Sequence, residues 1–548
     1  MVRQLRRLAI LTVAGTFLAC DAATAPVAEN DDDDDPVVVV GQVGVTVDVE
    51  GERSPISPFI YGSNQDRASD TWTVRRYGGN RLTGYNWENN FSNAGSDWQH
   101  SSDLFLLSDA GLPPGDASIP ARAVTHFHDE SLAMNAESIV TLQMAGWVAA
   151  DDLGPVQESE RAPSPRWVKV EPRRNAPFAP SPATDDSVVY MDELVHLLVS
   201  RYGDAQSARG VRWYSLDNEP ALWAHTHPRI QPEPIGAADL VDRSIALAAA
   251  VKQTDPGAEI MGPALYGMTA YVSLQDAPDW GTAGAGYEWF IDYYLDRMRQ
   301  AGQGAGKRLL DVLDVHWYPE AQGDSRITDA NATSPSDNEA RVQAPRTLWE
   351  DGYRENSWIG EWMGAWLPLL PRLQQSIDRY YPGTRLAITE YNYGGGNTIS
   401  GGLAQADVLG IFGRYGVHIA TLWGMGAGDS YTSAAFKLYR NYDGRGGTFG
   451  STSVPASTSD VERMAAHAAI DGEDLSVLHI ILLNRQDEGA LEVSLTIRSP
   501  ASYTSAEVWS FDAERPSITE RSSVSGITGN TFDYVLPGMT AAHLILRE

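Results

Sequence analysis

The chain has 548 residues, 43% of them apolar, and a formal charge of −31, so it is long enough for more than one domain around an ordinary hydrophobic core. Its acidic balance argues against nucleic-acid binding, because phosphates need a basic face, and disfavours a polyanionic polysaccharide; a neutral polysaccharide fits best. Its single cysteine, Cys20, excludes an intrachain disulfide.

Arg3, Arg6 and Arg7 precede an apolar run from Leu8 to Ala19 that is too short to span a bilayer. Residues 1–20 therefore predict a signal peptide. Thr16-Phe-Leu-Ala-Cys20 resembles the lipobox of bacterial lipoproteins, in which the cysteine is lipidated after cleavage. The expectation is an exported cell-surface or periplasmic lipoprotein, touching a membrane only through that anchor. The alternative is a secreted extracellular protein. Residues 21–37 are Ala, Pro, Asn and Asp with the run Asp31 to Asp35, and predict an acidic disordered linker. The run lacks the spaced ligands and glycine of an EF-hand loop.

Residues 38–54 predict an N-terminal strand. From 55 to 440 strand-like runs alternate with helical ones. The strands are Phe59–Gly62, Arg75–Gly78, Ile139–Gln143, Val211–Leu216, Glu259–Gly262, Val312–Trp317, Leu386–Glu390 and Val417–Trp423. Amphipathic spacing predicts helices over Met191–Tyr202, Ala237–Thr254, Tyr287–Arg299 and Leu403–Tyr415. Eight such alternations predict an α/β fold, a (β/α)8 barrel. A doubly wound open sheet would bring a glycine-rich phosphate turn after its first strand, which this chain lacks. From 441 to 548 short strands separated by polar turns predict an all-β sandwich, with 38–54 joining it. The Ser/Thr/Pro-rich piece 450–459 reads as a loop.

Two strand ends carry the chemistry. Val211-Arg-Trp-Tyr-Ser-Leu-Asp-Asn-Glu-Pro220 stops at a proline, which has no N–H to extend a strand, and leaves Glu219 beside Asn218. Arg385-Leu-Ala-Ile-Thr-Glu390-Tyr-Asn-Tyr-Gly394 is a second strand tip that carries a glutamate. Two carboxyl groups at one mouth of a parallel barrel are what glycoside hydrolysis requires. Asn218 can reach a sugar hydroxyl near the reacting carbon, making Glu219 the candidate acid/base. Glu390 is the candidate nucleophile, served by donors such as His316 or Tyr318. Strand alternation would turn Asp217, Ser215 and Trp213 inward with Glu219.

These runs resemble glycoside hydrolase family 44, which contains endoglucanases and xyloglucanases. The resemblance rests on Arg75-Arg-Tyr-Gly-Gly-Asn-Arg-Leu-Thr-Gly-Tyr-Asn-Trp-Glu-Asn-Asn90, Trp213 to Trp223, Thr226-His-Pro-Arg229 and Asp314-Val-His-Trp-Tyr-Pro319, with Ile388 to Gly394 and Tyr439 to Gly444. It covers roughly residues 40 to 548. It implies Glu219 as acid/base, Glu390 as nucleophile, retention of configuration, and attack within β-1,4-glucan chains: cellulose derivatives, xyloglucan, mixed glucans or xylan. It implies no required cofactor and leaves room for a structural calcium.

The substrate-binding candidates are Asn218, Asn80, Arg81, Gln143, His316 and Tyr318 among polar residues. The aromatic ones are Tyr85, Trp87, Trp358, Trp362 and Trp423. Trp358 and Trp362 are four apart and share a helix face. That spacing serves a sugar platform or a core seam equally. His126-Phe-His128 has metal-pair spacing without a clear third ligand, so a structural role is expected and no metal site is assigned. No Gly-x-Ser-x-Gly or His-Glu-x-x-His motif supports a peptidase or esterase. The competing reading is a non-catalytic glycan-binding surface lipoprotein. A monomer is the expected state.

Overall fold

The computed structural model describes residues 38–65, 69, 71–179, 181–184 and 186–548. The signal peptide, Cys20 and the linker lie outside the described residues.

Eight parallel strands close into a barrel in sequence order. They are Gly62–Ser63, Val74–Tyr77, Glu137–Leu142, Trp213–Leu216, Glu259–Leu265, Val312–Trp317, Arg385–Tyr391 and Ile419–Leu422. Closure rules out the open sheet. The helices expected over Met191–Tyr202 and Ala237–Thr254 have those bounds, and the other two span Phe290–Ala305 and Ile399–Arg414. One strand is displaced from its expected place. Phe59 lies in a 3-10 turn, Pro58–Ile60, because Pro58 starts the turn and Ser57 caps it. The first barrel strand therefore begins at Gly62.

The barrel interior is layered. Val74, Ile139, Trp213, Met261, Val312, Ala387 and Ile419, one from each of seven strands, form an apolar floor with Phe59 packed beneath it. Phe59 meets Trp213 edge to face at 4.8 Å, a favoured aromatic geometry. Above that floor the interior is polar. Thr389 Oγ1 donates to Asp314 at 2.6 Å, and Asn64 Nδ2 donates to the carbonyls of Thr389 at 2.9 Å and Leu422 at 3.0 Å. A dry plug below and a hydrogen-bonded layer above hold the upper strand ends in place.

The C-terminal region is a sandwich of a four-stranded and a seven-stranded sheet. Val39–Asp48 joins the smaller sheet, parallel to Ala490–Arg498 and antiparallel to Ala456–Thr458. Its alternate residues Val43, Val45 and Val47 are buried against Leu478, Ile480, Leu482, Leu544 and Leu546 of the larger sheet. The piece 450–459 is not a loop: it forms two strands, Thr452–Val454 and Ala456–Thr458, one in each sheet. Their backbones pair with neighbouring strands, Thr452–Val454 with Ala468–Ile470 and Ala456–Thr458 with Val45–Val47. Ile481, Leu483 and Phe511 belong instead to the barrel-side core. There the buried Asp407, on helix Ile399–Arg414, accepts from His467 at 2.8 Å and from Arg485. The larger sheet is thus apolar on both faces and buttresses the barrel.

Candidate active site

Glu219 and Glu390 meet at the upper end of the barrel although 170 residues separate them in sequence. His316, at the end of the sixth strand, stands between them. Its Nδ1 is 2.9 Å from Glu219 Oε1 and 3.5 Å from Glu390 Oε2. Donor atoms of Glu219, His316 and Glu390 all lie within 4.8 Å of one another. The side chains of Glu219 and Glu390 retain 13% and 7% exposure, so both carboxyls are sheltered yet reach the surface.

The two carboxyls are held differently. Glu390 belongs to its strand and is gripped at both oxygens. Arg76 Nη1 donates to Oε1 at 2.7 Å and Tyr318 to Oε2 at 3.0 Å. Glu219 lies past the end of its strand in left-handed backbone, φ 43°, and its N–H donates to the carbonyl of Ala264 at 3.0 Å. Burial pushes its carboxyl up to about 7, with Arg76 opposing and Asp97 adding to the rise. Burial also lowers His316 to about 4, so its ring is neutral at pH 7 and leaves both carboxyls uncompensated by imidazolium. A proton on Glu219 beside a firmly held Glu390 is the division of labour expected of a general acid and a nucleophile.

Arg76 is the site residue that sequence reading missed. It is fully buried on the second strand and donates to Glu390, to Asn218 Oδ1 at 2.8 Å and to Asn64 Oδ1 at 3.2 Å. The available signal was two consecutive arginines inside a strand, one of which must face the barrel interior. Gly78 and Gly79 then make room for the site. A Cβ on Gly78 would stand 2.4 Å from the Arg76 guanidinium, and one on Gly79, φ 88°, would stand 2.3 Å from the Trp423 ring.

The remaining candidates divide. Asn218 Nδ2 donates to Asn80 Oδ1 at 3.2 Å, and Asn80 donates to Asp97, so both belong to the mouth. Tyr318 and His316 touch the carboxylates as described. Trp423 follows the eighth strand, half-buried; Trp358 is half-buried and Trp362 is 70% exposed on the short helix Trp358–Trp362. Trp98, 63% exposed next to Asp97, was not foreseen.

Four candidates fall elsewhere. Tyr85 and Trp87 are fully buried, with Tyr85 donating to Asn90 at 2.8 Å, so neither presents a face to a sugar. They pack the base of the loop because their apolar area gains more from burial than from exposure. Arg81 pairs with Asp103 at 2.5 Å and lies over Phe105. Gln143 is buried and donates to the Leu82 carbonyl at 2.9 Å. Asp217 departs from strand alternation too. Its φ of 60° turns its carboxylate towards the backbone of Met144 and Ala145 rather than the mouth. His128 is structural, bridging Ser138 at 2.9 Å and the Arg209 carbonyl at 2.8 Å.

Among the described residues, Glu219, His316 and Glu390 are the group spaced to hold a metal ion. An ion there would tie up the oxygen that must attack and the one that must carry a proton, so the donor set suits proton transfer better than coordination.

The family model for glycoside hydrolase family 44 matches residues 91–321. Endoglucanase A of Paenibacillus lautus is 55% identical over 507 residues, which span 92% of this chain and 72% of that protein. A family 44 endoglucanase from Clostridium thermocellum superposes with a TM-score of 0.91 at 56% identity, over 92% of this chain and all of that one. A Paenibacillus polymyxa family 44 xyloglucanase, solved with xyloglucan, gives 0.90 at 52% identity over 92% of this chain and all of that one. Such similarity runs through barrel and sandwich together, and the chain belongs to glycoside hydrolase family 44.

Proposed function

We propose that the chain is a retaining endo-β-1,4-glucanase acting on neutral glucans such as xyloglucan and mixed-linkage glucan. The carrying observation is the approach of the two carboxyls, with donor oxygens within 4.8 Å. Double-displacement glycosidases hold their carboxyl groups about 5–5.5 Å apart, whereas inverting ones need room for a water between them. Glu219 gives its proton to the glycosidic oxygen while a Glu390 oxygen attacks the anomeric carbon from the opposite face. The aglycone leaves with that proton and a glycosyl ester forms on Glu390. Glu219, now a carboxylate, takes a proton from water as the water opens the ester, and both side chains return to their starting state. Neither step needs a metal or cofactor. Trp98, Trp358, Trp362 and Trp423 offer flat faces for successive pyranose rings, and the charge of −31 disfavours polyanions.

Proton NMR of fresh product tests the scheme: β-anomer should appear first, before mutarotation. Immediate α-anomer would refute double displacement. A reducing-sugar assay on purified protein separates hydrolysis from glycan capture alone.

Export as a lipoprotein is part of the same reading, supported by the Arg-rich start, the apolar run and Cys20 in its lipobox-like setting. Labelled palmitate should enter the wild-type protein and not Cys20→Ser. Both carboxyls and all four tryptophans come from one chain, so a monomer suffices; light scattering of the soluble form checks this.

A further inference from the structure

We propose that Asp217 is a positioning residue for the acid/base Glu219, locking the backbone that aims it. The inference rests on the double-displacement reading and extends it to a residue that touches no substrate. Asp217 is fully buried, and four donors converge on its carboxylate. Thr83 Oγ1 donates to Oδ1 at 2.6 Å and the Asn218 N–H to the same oxygen at 2.8 Å. The N–H groups of Met144 and Ala145 donate to Oδ2 at 2.5 Å and 3.0 Å. These donors come from the short helix Asn80–Thr83 after the second barrel strand, from the end of the third, and from the segment after the fourth. One carboxylate therefore ties three strand ends together.

The need for such a tie lies in the backbone. Asp217 and Glu219 both adopt positive φ, 60° and 43°. Non-glycine residues avoid that region and persist there only where the surrounding structure enforces it. Without enforcement the segment would relax, and Glu219 would swing with it. The helix Asn80–Thr83 grips the segment twice, through Thr83 on Asp217 and through Asn80 on Asn218 at 3.2 Å. Arg243 holds the carbonyls of Met144 and Ala145 from the other side at 3.4 Å each. Burial pushes the Asp217 carboxyl up to about 6, the four donors opposing. The full set of four bonds is available only to a carboxylate, since a protonated acid or an amide presents a donor of its own to one of these four.

The test compares leaving groups. A displaced general acid slows departure of a poor leaving group, which needs the proton, more than departure of dinitrophenolate, which does not. A loss of folded protein lowers both equally. For Asp217→Asn, kcat/KM on an unactivated cello-oligosaccharide should fall at least about tenfold further than on a 2,4-dinitrophenyl β-cello-oligoside, within the 10²–10⁴ range of general acid catalysis. Thr83→Val, which keeps shape and removes one donor, should shift the ratio the same way by about threefold, and serves if Asp217→Asn fails to fold. Glu219→Gln is the reference. If Glu219→Gln shows the leaving-group dependence and neither Asp217→Asn nor Thr83→Val does, the positioning role is wrong. If Glu219→Gln lacks it, the acid assignment itself fails.

Discussion

The two strand ends that carry Glu219 and Glu390 use the same side chain in opposite ways. Glu390 sits within a regular strand, where register with the sixth strand sets its height: His316 pairs with Glu390 and Trp317 with Tyr391. Two donors then hold its carboxylate directly. Glu219 sits beyond its strand, on left-handed backbone, with its own carboxyl meeting a neutral imidazole. Its environment raises the proton's hold instead of binding the charge. A group that must attack needs a fixed carboxylate; one that must give and retrieve a proton needs a balanced pKa.

The largest effect expected from breaking this comparison is that of Glu390→Gln. Hydrolysis should fall by on the order of 10⁴-fold or more, with the circular-dichroism spectrum unchanged; substantial residual turnover on an aryl glycoside would remove Glu390 from its role. Glu219→Gln should cost about 10²–10⁴-fold on oligosaccharides. Azide should restore turnover on activated substrates, yielding β-glycosyl azide; no product of that kind would contradict a vacated acid/base position. Arg76→Met sharpens the contrast from the other side, because Arg76 touches Glu390 and Asn218 together. Removing one partner of a buried ion pair destabilises by about 3–5 kcal/mol, so both the melting temperature and kcat should drop.

The pH dependence follows from Glu219. Its acid form is needed for the first step, so kcat/KM should decline as pH rises through about 7. The linkage sign runs the same way. Between the ordinary carboxyl range and about 7 the folded state holds a proton that the unfolded state has lost, so stability falls as pH rises through that window. Glu219→Gln should therefore gain melting temperature over wild type at pH 8 and not at pH 4; equal shifts at both would deny the raised value. The smallest effect belongs to the rim. Trp362→Ala should raise KM by roughly two- to tenfold, the worth of one aromatic contact, with no change in melting temperature. Trp87→Ala should do the reverse, costing about 3–5 kcal/mol of stability as a buried indole is lost.

Most of the barrel was legible because β-branched and aromatic runs alternate with amphipathic helices, and the two glutamates because each ends such a run. Other features left no equivalent mark. Phe59 looks like a strand residue, and only Ser57 and Pro58 reveal the turn. Tyr85 and Trp87 have the composition of a sugar platform, and burial alone distinguishes them from Trp98 and Trp362. Arg76 and Arg81 are alike on paper; strand facing sends one to Glu390 and the short helix Asn80–Thr83 sends the other to Asp103.

Local sequence by itself determined which residues could do chemistry: a proline-stopped strand with Asn218 and Glu219, a second strand with Glu390, and the spacing that makes a barrel. Only the tertiary structure decided which of them act together. Donor convergence, burial and left-handed backbone arise from contacts between segments tens to hundreds of residues apart, and these set where a proton resides and where a charge is held.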